Sequence, residues 1–447
     1  AEEPDELAGS TVLAARALSE GTERYDAIQL VEATERLGAS LHADAGWDAL
    51  SASVEVPAER LAPSLELVAE ILLRPTFPET EVERLRDERL NDLLQAQADP
   101  RRRAEQAFAA TIYASESPYH RPSGGTRETV VGLTAADLRR AYERSLDPRR
   151  ATLVVAGDLG GQDVVELAER MFGAWRGSGQ LPRDGSIVDT PASGNRAVRV
   201  IHRPGSVQTE IRIGHRGLSR QIPDFHAVSV MSAILGGLFN SRLNMRLREE
   251  KGYTYGASAG FDMRRGAGPF AARAAVNTEV TVAATVDMIG ELHRMRDQVV
   301  EDSELTAARD FLVGVFPLRF ETAGAVVGAL SGLAIHGLPL DELIGYRGRI
   351  EAVDSAAVAA AARTHLHVAE SSIVLVGDAD AFGTELEAAG LGPVTVERDE
   401  VPAAGPAPDA DIAVPGPVDR QDEEGPRAGA EEPELPGAPD EPSADDH

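Results

Sequence analysis

The sequence predicts an α+β protein of two homologous halves, each a largely antiparallel sheet with helices packed on one face. The first observation is an internal repeat, because residues 151–159 (ATLVVAGDL) resemble residues 371–379 (SSIVLVGDA) at an offset of 377 − 157 = 220. Residues 56–59 (VPAE) match 276–279 (VNTE) at the same offset, 276 − 56 = 220. Two separate matches at one offset indicate a duplicated unit. The third observation is that strand patterns alternate with helical patterns in both units.

The elements follow the same order in each half. Hairpin-like strands are expected at 40–56 and 253–276, and apolar residues at helical spacing predict helices at 61–73 and 280–292. The second half opens with a strand pair at 197–217, whose counterpart would begin at 197 − 220 = −23. We therefore expect the first half to lack its first two strands, either because the sequence is a fragment or because a sheet edge has been lost, which leaves unpaired backbone groups.

Composition places the boundaries between these units. A Gly- and Pro-rich polar stretch predicts a linker at 177–195 between a first domain, 1–176, and a second domain, 196–400. Residues 401–447 combine 13 acidic residues with Pro, Ala and Gly, against Arg420 and Arg427 as the only basic residues. Such a composition predicts a disordered acidic tail.

Charge and residue usage exclude several classes of function. The net charge of −29 argues against nucleic-acid binding. The absence of cysteine excludes disulfides, thiolate nucleophiles and cysteine-ligated zinc. The longest apolar stretch, 323–340, is broken by His336 and by glycines, so no membrane span is predicted. The sequence starts at Ala1 without an initiator methionine, as a processed or trimmed end would, and the compartment, cytoplasmic or extracytoplasmic, stays open.

One block in the second half carries a family resemblance. Residues 235–243 (LGGLFNSRL) are followed by residues 246–256 (RLREEKGYTYG), and a Gly21-Thr22 pair follows an early helix in the first half. With the duplication, these features resemble the pitrilysin/insulinase family of zinc peptidases, which includes the mitochondrial processing peptidase. The resemblance covers roughly residues 1 to 395, and the second-half block is its most specific part.

The resemblance implies that the family's zinc site is degenerate here. Active members bind zinc through His-x-x-Glu-His on a helix that ends in Gly-Thr, with a further Glu downstream. Counting back from Gly21-Thr22, these positions hold Val12, Ala15 and Arg16, and the downstream place falls near Asp92. Val and Ala offer no donor and Arg is a permanent cation, so we expect no metal, no cofactor and no catalytic residue, with Asp92 a solvated helix residue.

No other histidine set replaces this motif. None of the ten histidines lies in His-x-x-Glu-His or His-Glu-x-x-His. His365 and His367, with Glu370 nearby, are the closest pair and could be imagined as ligands. A histidine pair at the entry of a strand is more often a surface feature, so we do not predict a metal site there.

The resemblance further implies a substrate-binding Arg and Tyr in the second half. In the family these residues hydrogen-bond a bound peptide, a task that suits a guanidinium and a phenol. The counterparts around Gly252 are Arg246 and Tyr253, and Arg248 with Tyr255 form a rival pair at the same spacing. Alternatively, these are ordinary surface arginines and strand tyrosines. Gly236-Gly237 is either a close-packing feature or part of a peptide-facing loop.

These expectations lead to a functional hypothesis. The chain is predicted to be a non-catalytic Arg/Tyr-type subunit of a split zinc peptidase, as bacterial members of the family often are. It would pair as a heterodimer with a catalytic zinc-peptidase subunit of the same family, enclose a peptide substrate, and support proteolysis only in that complex. The alternatives are a catalytically inactive scaffold or peptide-binding protein of the same fold, and the product of a broken gene.

Overall fold

The computed structural model describes residues 3–177, here called the first half, and residues 196–398, the second half. Both belong to one compact unit that spans residues 1–399. The expected linker lies outside the described residues except for Gly177, and the expected tail lies outside them entirely. The domain boundaries therefore stay a prediction.

The first half is mainly helical. Its α-helices are α1 (Ser10–Ala17), α2 (Ala27–Arg36), α3 (Leu61–Leu73), α4 (Glu79–Ala98), α5 (Pro100–Ile112), α6 (Arg127–Val130), α7 (Ala135–Ser145) and α8 (Val164–Phe172). Its strands are β1 (Ser40–Ala45) and β2 (Leu50–Glu55), which pair antiparallel. Asp26 caps α2 with a capping box and Asp163 caps α8, so local sequence sets these helix starts.

The second half carries the larger sheet. Its strands are β3 (Val198–His202), β4 (Gln208–Arg216), β5 (Ala257–Phe261), β6 (Pro269–Asn277), β7 (Ser372–Gly377) and β8 (Val394–Arg398). Its α-helices are α9 (Phe225–Ser232), α10 (Arg242–Asn244), α11 (Thr281–Asp297), α12 (Asp302–Val315), α13 (Ala323–His336), α14 (Asp341–Ile344), α15 (Tyr346–Glu351), α16 (Ser355–His365) and α17 (Ala379–Ala388). Two π-helical turns, Ala233–Gly237 and Met245–Glu250, flank α10.

The sheet of the second half has six strands in the order β5-β6-β4-β7-β3-β8. The pairs β5·β6, β6·β4 and β4·β7 are antiparallel, whereas β3 is parallel to both β7 and β8. Strand β7 is buried over its whole length, as expected for a near-continuous apolar run at the centre of a sheet covered on both faces. The α+β class with a largely antiparallel sheet is thus confirmed.

Helices from both halves cover this sheet. Ile373 and Leu375 of β7 face the second half's own helices, in one core with residues of α9, α11 and α16. Val374 and Val376 point to the opposite face and pack against Phe108 of α5, from the first half. The expectation of helices on one face therefore holds for the second half's own helices, while a first-half helix covers the other face.

An ion cluster joins the two halves across that face. Arg212 on β4 is buried and donates to Glu105 on α5 (2.7 Å) and to Glu210 (2.8 Å). Arg273 on β6 also reaches Glu105, at 3.0 Å. Burial alone would raise the pKa of the Glu105 carboxyl, but Arg212 and Arg273 outweigh it and hold that pKa below its ordinary value. The contact between α5 and the sheet is therefore both apolar and charge-paired.

The sheet of the first half is much smaller. Among the residues that the structure describes, residues 151–156 form no strand, although they repeat the sequence of β7. In the second half β7 pairs with β3 and β4. No strand of the described first half pairs with residues 151–156, and a strand-forming sequence needs a ladder to join. The hairpin β1–β2 is the paired sheet of the described first half.

Helix α13 is apolar but lies at the surface. Thr322 caps its start and Gly337, at φ 62°, ends it, yet of its described residues Leu333 alone is buried. No helix of the described ranges could cross a bilayer by itself; Asp302–Phe320 and Ala323–His336 reach the required length and apolar character only as a pair bent by 112°.

Candidate functional site

The three positions of the expected zinc motif lie on α1. Val12 and Arg16 are partly exposed one helical turn apart, while Ala15 is fully buried. The Arg16 guanidinium pairs with the Glu88 carboxylate on α4 at 3.4 Å. Because Val12 and Ala15 carry no lone pair and Arg16 is a paired cation, this helix face offers no metal ligand.

The fourth position of the motif is also engaged. Asp92 on α4 accepts from Arg102 at 2.7 Å and from Arg89. Two guanidinium groups therefore compensate the charge of the one carboxylate that could serve as a ligand. The residues present do not fit the zinc of active family members.

A cleft of about 430 Å³ opens at this place, between α1, β1 and α4. Its lining is mostly polar and consists of Arg16, Ser19, Glu20, Leu41, His42, Ala43, Asp44, Arg84, Leu85 and Glu88. Arg84 crosses the cleft wall, since it bonds Glu20 at 2.5 Å and Glu88 at 2.6 Å. The lining charges are thus largely paired with one another.

Strand β1 forms one wall of the cleft. It pairs with β2 along one side, and no strand in the described ranges pairs with its other side. Its exposed side chains are polar and alternate along the strand as Ser40, His42 and Asp44. An unpaired strand edge beside a cleft offers backbone donors and acceptors to an extended peptide. The alternation of polar residues in β1 is visible in the sequence, but it did not predict a cleft wall.

Arg246 is held by acidic neighbours in the second half. Its Nη2 donates to Asp287 at 2.8 Å and its Nη1 to Glu250 at 2.9 Å. These bonds, the one to Asp287 first, raise the pKa of Arg246. Tyr253 is half-buried against the apolar core of the second half, and its backbone N–H donates to Leu247 at 2.8 Å.

Arg248 pairs with one carboxylate, that of Glu249 at 3.3 Å, and Tyr255 faces solvent. The side chain of Arg248 is 39% exposed and lies over the ring of Phe239, with its guanidinium carbon 4.6 Å from the ring centroid. Tyr255 is 91% exposed and Phe239 is 65% exposed. Lys251, also exposed, directly follows the π-helical turn that carries Arg248. Arg248, Tyr255 and Phe239 are called the exposed block below.

The neighbouring glycine pair divides into two roles. A Cβ on Gly236 would lie 2.2 Å from the backbone nitrogen of Ala259, so this glycine lets the π-helical turn pack directly on β5. Gly237 is exposed. Close packing therefore accounts for Gly236. π-Helical turns are uncommon and are frequent at functional sites, which agrees with the position of two of them beside this block.

The histidine pair of the second half does not form a joint site. His365 bonds Asp224 through Nε2 at 2.7 Å. His367 packs edge-on against His215, whose Nε2 accepts from the His367 backbone N–H at 3.1 Å. Each histidine thus has its own packing partner.

A different group of metal-ligand type lies at the carboxyl ends of β3 and β7. Ligand atoms of His202, Asp378 and Asp380 lie within 4.8 Å of one another, which the sequence did not reveal. His202 Nδ1 accepts from the Ala379 backbone N–H at 3.1 Å, so the neutral ring carries its proton on Nε2. Asp378 accepts from the Gly205 backbone N–H at 2.8 Å. The Nδ1 lone pair of His202 is therefore engaged, and Asp380 pairs with Arg398 at 3.3 Å, while both carboxylates keep further lone pairs.

Comparison with known proteins relates both halves to one group of peptidases. A family model described as insulinase (peptidase family M16) matches residues 1–123, and a model described as peptidase M16 inactive domain matches residues 132–312. An uncharacterized zinc protease of Streptomyces coelicolor is 25% identical over 334 residues, 74% of this chain and 72% of that protein. The non-peptidase homolog YmxG of Helicobacter pylori is 24% identical, over 74% of this chain and 76% of that protein.

Solved structures agree with this relation. A peptidase M16 inactive domain from Pseudomonas fluorescens superposes with a TM-score of 0.76 at 26% identity, covering 83% of this chain and 89% of that one. A protease from Helicobacter pylori gives the same TM-score, 0.76, at 18% identity, over 84% of this chain and 91% of that one. The second likeness shows the fold alone.

Proposed function

Because the chain belongs to the insulinase family of peptidases, family M16, we propose that it is a non-catalytic subunit that contributes peptide binding to a zinc-bearing partner of the same family. The partner would supply the metal and the general base, and this chain would hold part of the substrate. Proteolysis then requires both chains.

The observation that carries the proposal is the state of the zinc site. At the positions of the family motif stand Val12, Ala15 and an ion-paired Arg16, and the remaining carboxylate, Asp92, is bound by two arginines. A metal needs several donors with free lone pairs, and this face supplies none from α1. The non-peptidase name of the Helicobacter pylori relative supports the same interpretation, whereas the model described as an inactive domain matches residues 132–312, which do not include α1.

Two surfaces support peptide binding. The free edge of β1 can pair with an extended peptide along the cleft, where main-chain bonds supply affinity independently of the peptide's side chains. Arg248 and Tyr255 in the exposed block offer donors that a peptide carbonyl or a developing oxyanion can accept.

Of the two Arg–Tyr pairs, the geometry favours Arg248 with Tyr255. For Arg246 to reach a peptide, its guanidinium would have to leave Asp287 and Glu250, and Tyr253 would have to leave a partly buried position. The Arg248 guanidinium would have to leave a single carboxylate, that of Glu249 at 3.3 Å, and Tyr255 is accessible as it stands. The role of Arg246 and Tyr253 as the peptide-binding pair stays a prediction that the same experiment tests.

The test begins with capture of the partner from the source organism by the tagged chain, followed by turnover measurements on the purified complex. We expect Arg248→Ala and Tyr255→Phe each to lower kcat on the order of tenfold to a thousandfold, the usual cost of one oxyanion donor. Arg246→Ala and Tyr253→Phe form the matched pair, and Arg363→Ala, an exposed arginine on α16, is the neutral control.

The outcomes separate the alternatives. If the Arg246 and Tyr253 variants lower kcat instead, these two residues are the peptide-binding pair, each two positions before Arg248 and Tyr255. Loss of assembly in any of these variants marks the residue as structural. If neither pair alters turnover, or if the captured chain carries no His-x-x-Glu-His, the inactive scaffold of the same fold replaces the subunit as the function.

A further inference from the structure

The hairpin that borders the cleft is attached to the second half at its tip. The turn between β1 and β2 carries Trp47, and the turn between β5 and β6 carries Arg264. The Arg264 guanidinium carbon lies 4.9 Å from the Trp47 ring centroid and 4.7 Å from that of Tyr119. The two rings meet edge to face at 5.2 Å. A guanidinium between two aromatic rings gains from both ring faces.

Hydrogen bonds secure the same junction. Asp48, beside Trp47, accepts from the backbone N–H of Arg265 at 2.9 Å. The Tyr119 hydroxyl, which is buried, accepts from the backbone N–H of Gly266 at 3.2 Å. Arg264 itself pairs with Asp262 at 2.6 Å. The tip of the first-half hairpin is therefore fixed to one turn of the second half by side-chain and backbone contacts together.

The junction continues the contact that α5 makes on the six-stranded sheet, because Tyr119 lies in the same buried cluster as Phe108 of α5 and Trp47 packs against that cluster. It also acts on a hairpin of two strands, and such a hairpin is marginally stable by itself in water. Its apolar side packs on the first-half core through partly buried Leu41 and Ala43, while the tip extends beyond that core.

We propose that Trp47, Tyr119 and Arg264 form a latch that fixes β1 against the second half and so positions a peptide bound along the cleft. The cleft wall runs from Leu41 to Asp44, directly before the turn that the latch holds. The latch residues touch no peptide; they are positioning residues that act through β1. The inference rests on the proposed function insofar as the cleft receives a peptide.

The first arm of the test uses the isolated chain and needs neither partner nor substrate. Hydrogen exchange of residues 40–55 should accelerate in Arg264→Ala by roughly two- to thirtyfold, the range that one cation–π contact supplies. Exchange in α3 and β6 should stay unchanged. Arg264→Lys keeps the charge but loses the flat guanidinium, so a smaller acceleration is expected. Arg24→Ala is the matched control, because Arg24 lies over the ring of Tyr25 at 5.2 Å within the first half.

A second readout follows Trp47 directly. The sequence contains two tryptophans, Trp47 and Trp175, so Trp175→Phe leaves Trp47 as the single reporter. In that background Arg264→Ala should shift the emission of Trp47 to longer wavelength as the ring becomes more hydrated. Unchanged emission together with unchanged exchange of residues 40–55 would overturn the latch.

The last arm asks whether the latch positions a peptide. In the complex, Arg264→Ala should raise KM by about three- to tenfold and leave kcat within twofold, because the latch acts on binding geometry and on no reacting group. If β1 loosens and KM is unchanged while the Arg248 and Tyr255 variants lower turnover, the positioning role is wrong. If neither Arg–Tyr pair alters turnover either, the proposed function fails, and the exchange result still decides the latch.

Discussion

At residue 16 a permanent cation stands where the resemblance to the family places a zinc ligand of its active members. Arg16 pairs with Glu88, and Arg84 links Glu88 to Glu20, so the polar wall of the cleft compensates its own charges. Ala15 is fully buried. A carboxylate introduced there would therefore be placed among packed apolar side chains, where burial of its charge costs free energy.

His215 provides a prediction about pH at the same scale. It is buried, its Nδ1–H donates to the Arg216 carbonyl at 2.7 Å, and burial lowers its pKa from 6.5 to about 4. The unfolded chain therefore takes up this proton at higher pH than the folded chain, and stability falls as pH drops from about 6.5 to about 4. The expected loss is on the order of 3 kcal/mol at full protonation.

Urea unfolding between pH 7 and pH 4 measures this effect. His215→Gln should be less stable at pH 7 but should show a shallower fall of stability over the window, because the residue no longer titrates. His293→Gln, on the exposed side of α11, should retain the wild-type slope. Parallel slopes for wild type and His215→Gln would contradict the assignment.

At the scale of elements, glycines in helices test which faces are packed. A Cβ on Gly328 in α13 meets no atom within 4 Å, whereas a Cβ on Gly236 meets the Ala259 backbone nitrogen at 2.2 Å. Gly328→Ala should therefore raise stability by about 0.5–1 kcal/mol, the helix-propensity gain. Gly236→Ala should lower it by roughly 1–3 kcal/mol, because backbone must shift. Denaturant midpoints measure both, and a loss in Gly328→Ala would mean that this face of α13 is covered.

The sequence predicted some elements well because their signals are local. The helix expected at 61–73 is α3 (Leu61–Leu73). The hairpins expected at 40–56 and 253–276 correspond to β1–β2 and β5–β6, with β6 ending one residue later at Asn277. Residues 151–156 form no strand in the structure although their sequence favours one. A strand requires neighbouring strands to pair with, and only tertiary structure supplies these. In the same way, sequence spacing could not separate Arg246 from Arg248. Their difference lies in Asp287, forty-one positions from Arg246, which only the fold brings close.

For the whole molecule, the Glu105–Arg212 pair is one of the contacts that join the two halves, beside the apolar packing of α5 on the sheet. Glu105→Gln should lower stability by roughly 1–3 kcal/mol, because it leaves the buried Arg212 with a single carboxylate partner, Glu210. The pKa of Glu105 is lowered in the fold, so the pair's contribution is present above the unfolded pKa and is lost as pH falls through the folded pKa. Glu105→Gln should remove that part of the acid sensitivity.

Thermal unfolding of wild type and variant at pH 7 and at acid pH checks this expectation. Asp380→Asn is the control, since it breaks the exposed pair with Arg398 and should change the midpoint little. If Glu105→Gln is as stable as wild type at pH 7, the apolar packing of α5 alone joins the halves.

Lys251 has a practical consequence for chemistry on this protein. It is the one lysine of the sequence, and it stands exposed between Arg248 and Tyr255 along the chain. Reagents that acylate amines therefore modify one internal position, besides a chain N-terminus. A fluorophore coupled there would report any molecule that approaches the exposed block, and a short crosslinker would attach a captured partner at a known residue. Both labels are obtained without introducing a cysteine into a sequence that has none.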